Sequence, residues 1–162
     1  MRPAGRAFVQ QIINTKKIIE PIYEFGASRV RGQEELADLR PLFKNKLYVG
    51  TDMSPGPGVD LIIDMEKMKL PDNCIGTAIS IDTLEHVKNV YKATDEIYRV
   101  LKPGGIIIIS SVMLFPIHCH PNDYWRFTPA AFELLLKKFK EKKVWFDGDA
   151  RFPTGIYGFG IK

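Results

Sequence analysis

Four carboxylates follow short apolar runs: Glu24 in IYEFG, Asp52 in LYVGTD, Asp64 in VDLIID and Asp82 in AISID. One acid at the end of a buried strand is commonly a cap for the next helix. Four at successive strand ends point to a polar ligand bound along one edge of a sheet. Glu24 stands two residues before Gly26, and Asp52 comes about 25 residues beyond that glycine, the layout of a nucleotide-binding loop. A second concentration of chemistry lies in SSVMLFPIHCHPNDYWRFTP, which packs His118, His120, Asp123, Tyr124, Trp125 and Arg126 into nine residues. Imidazoles beside a carboxylate suit proton transfer near neutral pH. His118 and His120 are therefore candidate bases and Asp123 their orienting partner, while Arg126 could hold an acidic group and Tyr124 or Trp125 could stack on a ring. The plainer alternative pairs Asp123 with Arg126, puts Trp125 in the core and leaves the histidines facing water. His118-x-His120 on an extended segment places both rings on one side and Cys119 on the other, but the third ligand a metal needs is not evident and none is assigned.

The elements that would position these groups alternate between strand and helix. Phe8–Ile19 reads as an amphipathic helix within an N-terminal segment of residues 1–20. IYEF is a first strand, QEELADLRPLF has helical spacing that stops near Pro41, and KLYVG and VDLIID are strands ending at Asp52 and Asp64. GTAISI is a fourth strand, and VYKATDEIYRVL is a helix closed by Lys102-Pro103-Gly104-Gly105. IIIIS, apolar on both faces, reads as a central parallel strand. Residues 112–128 form a loop, Thr128 caps a helix that opens on Pro129, and KVWFDG with IYGFGIK closes the chain as an antiparallel pair. The expected fold class is α/β: a single-domain, Rossmann-like doubly wound sheet over residues 1–162, mostly parallel with a C-terminal antiparallel strand. Ligands of such sheets bind beyond the carboxyl ends of the strands, where the acids fall.

Composition limits the function classes. A chain of 162 residues with 45% hydrophobic and 26% charged residues buries a full core. The N-terminus lacks a secretory apolar run, no segment is long enough to span a membrane, and two cysteines, Cys74 and Cys119, give no disulfide framework. The expectation is a reduced, cytoplasmic setting. Net charge is +4, but much of the excess sits in KKFKEKK, read as the end of a helix whose dipole favours lysines. Nucleic acid is accordingly disfavoured as a partner.

The loop itself narrows the ligand. A dinucleotide needs G-x-G-x-x-G for its pyrophosphate, whereas the residues here are Gly26, Ser28 and Arg31, and Glu24 would repel phosphate. A ligand with a ribose and a cationic amino group but no phosphate fits better, and S-adenosylmethionine has that chemistry.

The strings LPDNCIGTAISIDTLEHV and EIYRVLKPGG, with the acidic loop ahead of them, resemble the class I S-adenosylmethionine-dependent methyltransferases, in particular their small-molecule branch. The resemblance runs from about Ile22 to the C-terminus. It implies that Gly26 and Ser28 let the backbone approach the cofactor's methionine portion, with Glu24 near the ammonium group through the loop or a water. It further implies that Asp52 accepts both ribose hydroxyls beside Met53, that Asp64 accepts from the adenine amine with the Met65 N–H on the ring, and that the Ser80 carbonyl meets the ammonium group. A turn or helix cap is the alternative for Asp64. Lys102 to Gly105 marks the family without touching chemistry, and Glu85-His86 is placed close to the cofactor.

The family usually carries glycine where Ser28 stands and often again at Val30, so the loop's geometry departs from the pattern; a left-handed backbone at Ser28 would be strained. DYWRFTP resembles a subset associated with glycan or cell-envelope assembly. The implied activity is O-methylation of a small molecule or glycan hydroxyl, in an open cleft that a homodimer partner could complete. The alternative is a degenerate member acting as a cofactor-binding or protein-interaction scaffold.

Overall fold

The computed structural model describes residues 1–29, 31–118 and 122–162; the expectations placed on Val30, Cys119 and His120 lie outside them. Helix α1 (Pro3–Thr15) precedes β1 (Ile22–Phe25), α2 (Glu34–Ala37), β2 (Tyr48–Asp52), β3 (Leu61–Ile62) and β4 (Ile75–Ile81). Then come α3 (Val90–Val100), β5 (Leu101–Val112), α4 (Pro129–Leu135), β6 (Lys140–Asp149) and β7 (Phe152–Ile161). Among the described residues these strands make one sheet in the order β3-β2-β1-β4-β5-β7-β6. The first five are parallel, and β7 runs antiparallel to both β5 and β6. The doubly wound α/β expectation is met, including the closing antiparallel pair.

The isoleucine run explains the sheet's position. Ile107 and Ile109 pack on one face with Val90, Ala93 and Ile97 of α3 and Phe132 of α4. Ile106 and Ile108 pack on the other face with Phe8, Val9 and Ile12 of α1 and with Leu39 and Phe43. Strand side chains alternate in direction, so four consecutive isoleucines supply both cores at once.

Four local expectations shift. The first helix begins at Pro3, whose fixed φ suits a first turn, and ends at Thr15 rather than Ile19. The segment behind it is extended because the Thr77 hydroxyl accepts from Ile19 N and donates to Ile19 O, at 3.2 and 2.7 Å. QEELADLRPLF does not form one helix: α2 stops at Ala37 and a 3-10 turn covers Arg40–Phe43. Pro41 has no N–H for the Ala37 carbonyl, and Arg6 donates to the carbonyls of Leu36 and Asp38. Strand β3 is only two residues long, leaving Asp64 in a turn beyond it. Helix α4 opens as expected, with Thr128 accepting from Ala131 N at 3.2 Å, but it ends at Leu135, so Lys140, Lys142 and Lys143 lie on β6 rather than at a helix end.

No helix among the described residues is long and apolar enough to cross a membrane.

Truncating Ile107 or Ile108 to alanine should each cost about 2–5 kcal/mol in urea unfolding, since each empties a different face of the sheet. Ile62→Ala, on the exposed edge strand, should change stability by no more than about 0.5 kcal/mol. A small loss at either core position would contradict two-sided burial.

Candidate functional site

A cavity of about 1050 Å³ opens beyond the carboxyl ends of β1, β2 and β4, at the switch point where strand order jumps from β3 back to β4. Gly26, Ser28, Asp52, Met53, Asp64 and Met65 line one part of it, and Thr83, Glu85, His86, Phe115, His118 and Tyr124 another. With Asp82, which also lines it, eleven of the residues singled out in sequence therefore share one cavity.

Gly26 has φ +86°, and a Cβ there would come within 2.2 Å of Thr83 Oγ1. Glycine is thus required here by the backbone conformation and by the neighbouring Thr83 side chain. Ser28 is absent from the described residues with positive φ, so the strain expected at this departure does not arise. Its N–H donates to Asp52 Oδ2 at 3.3 Å, and Ser54 N donates to Asp52 Oδ1 at 3.3 Å. Both bonds are long, leaving the carboxylate able to accept shorter bonds from a diol. Asp64 Oδ1 accepts from Glu66 N at 2.8 Å, so the turn expected as the alternative is realised while the carboxylate still borders the cavity.

Glu24 and Ser80 are placed differently from expectation. Glu24 is buried within the sheet, where Tyr48 Oη donates to it at 2.6 Å, and it does not line the cavity. Burial pushes its carboxyl up to about 7, the tyrosine bond and the nearby arginines pulling the other way. Ser80 is wholly buried because β4 continues to Ile81. The wall there is made instead by Ile81, Asp82 and Thr83.

Asp82 (φ +50°) accepts from Arg2 N, Arg2 Nη2 and Ser110 Oγ at 2.8–2.9 Å. Arg2 and Met1 thereby become part of the cavity rim. Arg2 was not singled out in sequence, and no local signal pairs it with a residue 80 positions away.

The 112–128 loop is organised by Asp123. Its side chain is 2% exposed and takes a forked pair of bonds from Arg126, at 2.5 and 2.7 Å. The Arg126 guanidinium holds the carboxyl well below the usual range. Arg126 also donates to the carbonyls of Phe115, Pro116 and Trp125. It is therefore committed to the loop, in the pairing with Asp123 that is the plainer alternative, and it does not line the cavity. Asp123 accepts from His118 N at 2.8 Å and lies 3.2 Å from His118 Nδ1, the orienting contact expected of it. Tyr124 faces the main cavity. Trp125 donates to Val87 O at 2.8 Å and lines a separate shallow groove beside Lys88 and Tyr91, apart from the site assigned to it.

A profile described as methyltransferase domain matches residues 25–109, just over half of the chain. The chain belongs to this family. A curated relative, the ubiquinone/menaquinone biosynthesis C-methyltransferase UbiE of Hydrogenovibrio crunogenus, is 31% identical over 59% of this chain and 39% of its own length. The sterol 4-C-methyltransferase strm-1 of Caenorhabditis elegans is 29% identical over 49% of this chain and 24% of its own. The chain thus spans well under half the length of these relatives. Among solved structures, an S-adenosylmethionine-dependent methyltransferase of Archaeoglobus fulgidus matches with a TM-score of 0.74 at 15% identity, covering 100% of this chain and 95% of that one. At that identity the match is one of fold, and it agrees with the class I methyltransferase resemblance carried by EIYRVLKPGG.

In this methyltransferase domain the buried Glu24 has a pH signature. An unfolded glutamate titrates near 4.5 and the folded one near 7, so between those values the folded state keeps a proton that the unfolded state has lost. Stability should fall as pH rises through that window, by on the order of 3 kcal/mol, and level off above it. Urea unfolding across the window should show this slope in the wild type and a flatter one in Glu24→Gln, which keeps a partner for Tyr48. Identical slopes would remove Glu24 as the source.

Proposed function

We propose that the chain binds S-adenosylmethionine and transfers its methyl group to an oxygen of a small-molecule or glycan hydroxyl. The observation that carries this reading is the cavity at the switch point, bordered at once by Gly26, Asp52 and Asp64 and by His118, Asn122 and Tyr124. Residues suited to a nucleoside and residues suited to an acceptor thus share one space of about 1050 Å³, large enough for both.

The chain's residues divide the work. Asp52 accepts the ribose hydroxyls, displacing its long bonds to Ser28 and Ser54. Asp64 accepts from the adenine amine with its remaining oxygen, and the Met65 N–H meets the ring. When bound, the cofactor supplies an electrophilic methyl on a sulfonium, so the protein's main task is alignment. His118, held through its Nδ1 by Asp123, presents Nε2 to take the hydroxyl proton. Tyr124 offers a flat apolar surface for a sugar or aromatic ring.

Both curated relatives are named for methylation at carbon. Oxygen is favoured here because a carboxylate-oriented imidazole faces the cavity, and a hydroxyl is the acceptor that needs one.

Calorimetric titration with S-adenosylhomocysteine should show binding at one site. Asp52→Ala should weaken it by about 100-fold, the loss of charge-assisted bonds to two hydroxyls. Absence of binding to the wild type would overturn the enzymatic reading and leave the scaffold alternative.

A further inference from the structure

Glu85, His86 and His118 converge on the acceptor side of the cavity, each offering one nitrogen or oxygen within 4.8 Å of the others. Glu85 is 1% exposed, and its Oε2 accepts from Ser111 Oγ at 2.5 Å. Its Oε1 is buried and has no partner among the described residues. An orphaned buried carboxylate oxygen is costly and calls for a ligand.

The two imidazoles are held in a complementary way. His86 Nδ1 lies 2.7 Å from the Asn122 carbonyl. That oxygen can only accept, so Nδ1 carries the proton and Nε2 keeps its lone pair. His118 Nδ1 lies 3.2 Å from the Pro116 carbonyl and 3.2 Å from Asp123 Oδ2, both acceptors, with the same result. The rings meet edge to face with centroids 4.7 Å apart. Histidines whose Nδ1–H is tied to a carbonyl or carboxylate keep Nε2 as the free donor, the outer-shell arrangement of metal ligands.

We propose that Glu85, His86 and His118 form a site for one divalent transition-metal ion of the zinc class. Two nitrogens and one carboxylate oxygen match the donor set of an open zinc site, with a fourth position left toward the cavity. Ligands about 2.0–2.2 Å from an ion stand roughly 3.4 Å apart, closer than the 4.8 Å within which these atoms lie, so the three side chains would draw together on binding. Arg126, whose charge would oppose a cation here, is neutralised by Asp123. Resting on the methyltransferase reading, this deepens it: an acceptor hydroxyl in the fourth position would be acidified by the ion and lose its proton to bulk water, relieving His118 of the role of base.

The test titrates the metal-stripped full chain with Zn²⁺ by calorimetry and with Co²⁺ by visible absorption, beside a titration with S-adenosylhomocysteine. The expected result is one ion per chain, with His118→Ala and Glu85→Gln each weakening it at least ~100-fold. Asp123→Asn, which removes both the outer-shell acceptor beside His118 and the charge that neutralises Arg126, should weaken it by at least about 10-fold. Circular dichroism checks that each variant is folded. No stoichiometric binding to the wild type, or equal binding to folded His118→Ala and Glu85→Gln, overturns the site. The nucleoside titration reports separately: its failure with zinc binding intact would sink the methyltransferase reading and leave the metal site standing.

Discussion

Between the carboxyl ends of β1 and β4, the Thr83 side chain fills the space that a Cβ on residue 26 would need. This contact lies where the strand order reverses, and it lets the two strand ends approach while the backbone turns away at φ +86°. β1 and β4 pair up to Glu24 and Ile79; β1 ends at Phe25, β4 runs on beside β5 to Ile81, and the cavity opens where the two chains then leave the sheet. Everything proposed to bind here sits at that opening, on loops held by a sheet whose central strands are buried on both faces.

Two ionic contacts then set the rim. Arg2 crosses from the start of α1 to Asp82, drawing the N-terminal helix against the end of β4. Asp123 and Arg126 fold the segment after β5 back on itself, and the backbone N–H groups of Tyr124 and Trp125 bond the Glu85 carbonyl at 2.7 and 3.3 Å. This second set of bonds brings the loop to Glu85 and His86. One carboxylate, Asp123, both neutralises the arginine and orients His118, so loop shape and site chemistry are not separable.

Glu24 shows how an acid with a family-like position can take a different place in the physics. Its side chain lies buried on the Ile22 face of the sheet and accepts from Tyr48 Oη, while its backbone carbonyl accepts from Thr51 Oγ1. Both bonds tie β1 to β2. Any influence on a ligand is transmitted through the loop that follows, which begins with Gly26 and Ala27 both bonded to Thr51 O.

Periodicity and punctuation determined much by themselves. The isoleucine run, the acids behind apolar strands and Thr128-Pro129 are local signals, since strand alternation and capping act over a few residues. Lys102–Gly105, expected as a turn, lies instead in an irregular start of β5. The local signals sufficed for the doubly wound sheet, for the edge where the cavity opens and for the family. What only the tertiary structure decided depends on partners far apart in sequence. Arg6 and Pro41 break a helix that propensity favours, and Thr77 ends α1 early. Arg126 turned from an apparent anchor into the loop's brace, and Glu85, His86 and His118 became one cluster across about 30 residues. Side-chain spacing along a chain says which groups share a face. Which groups share a cavity depends on how strands are ordered and loops are tied down, and those constraints are non-local.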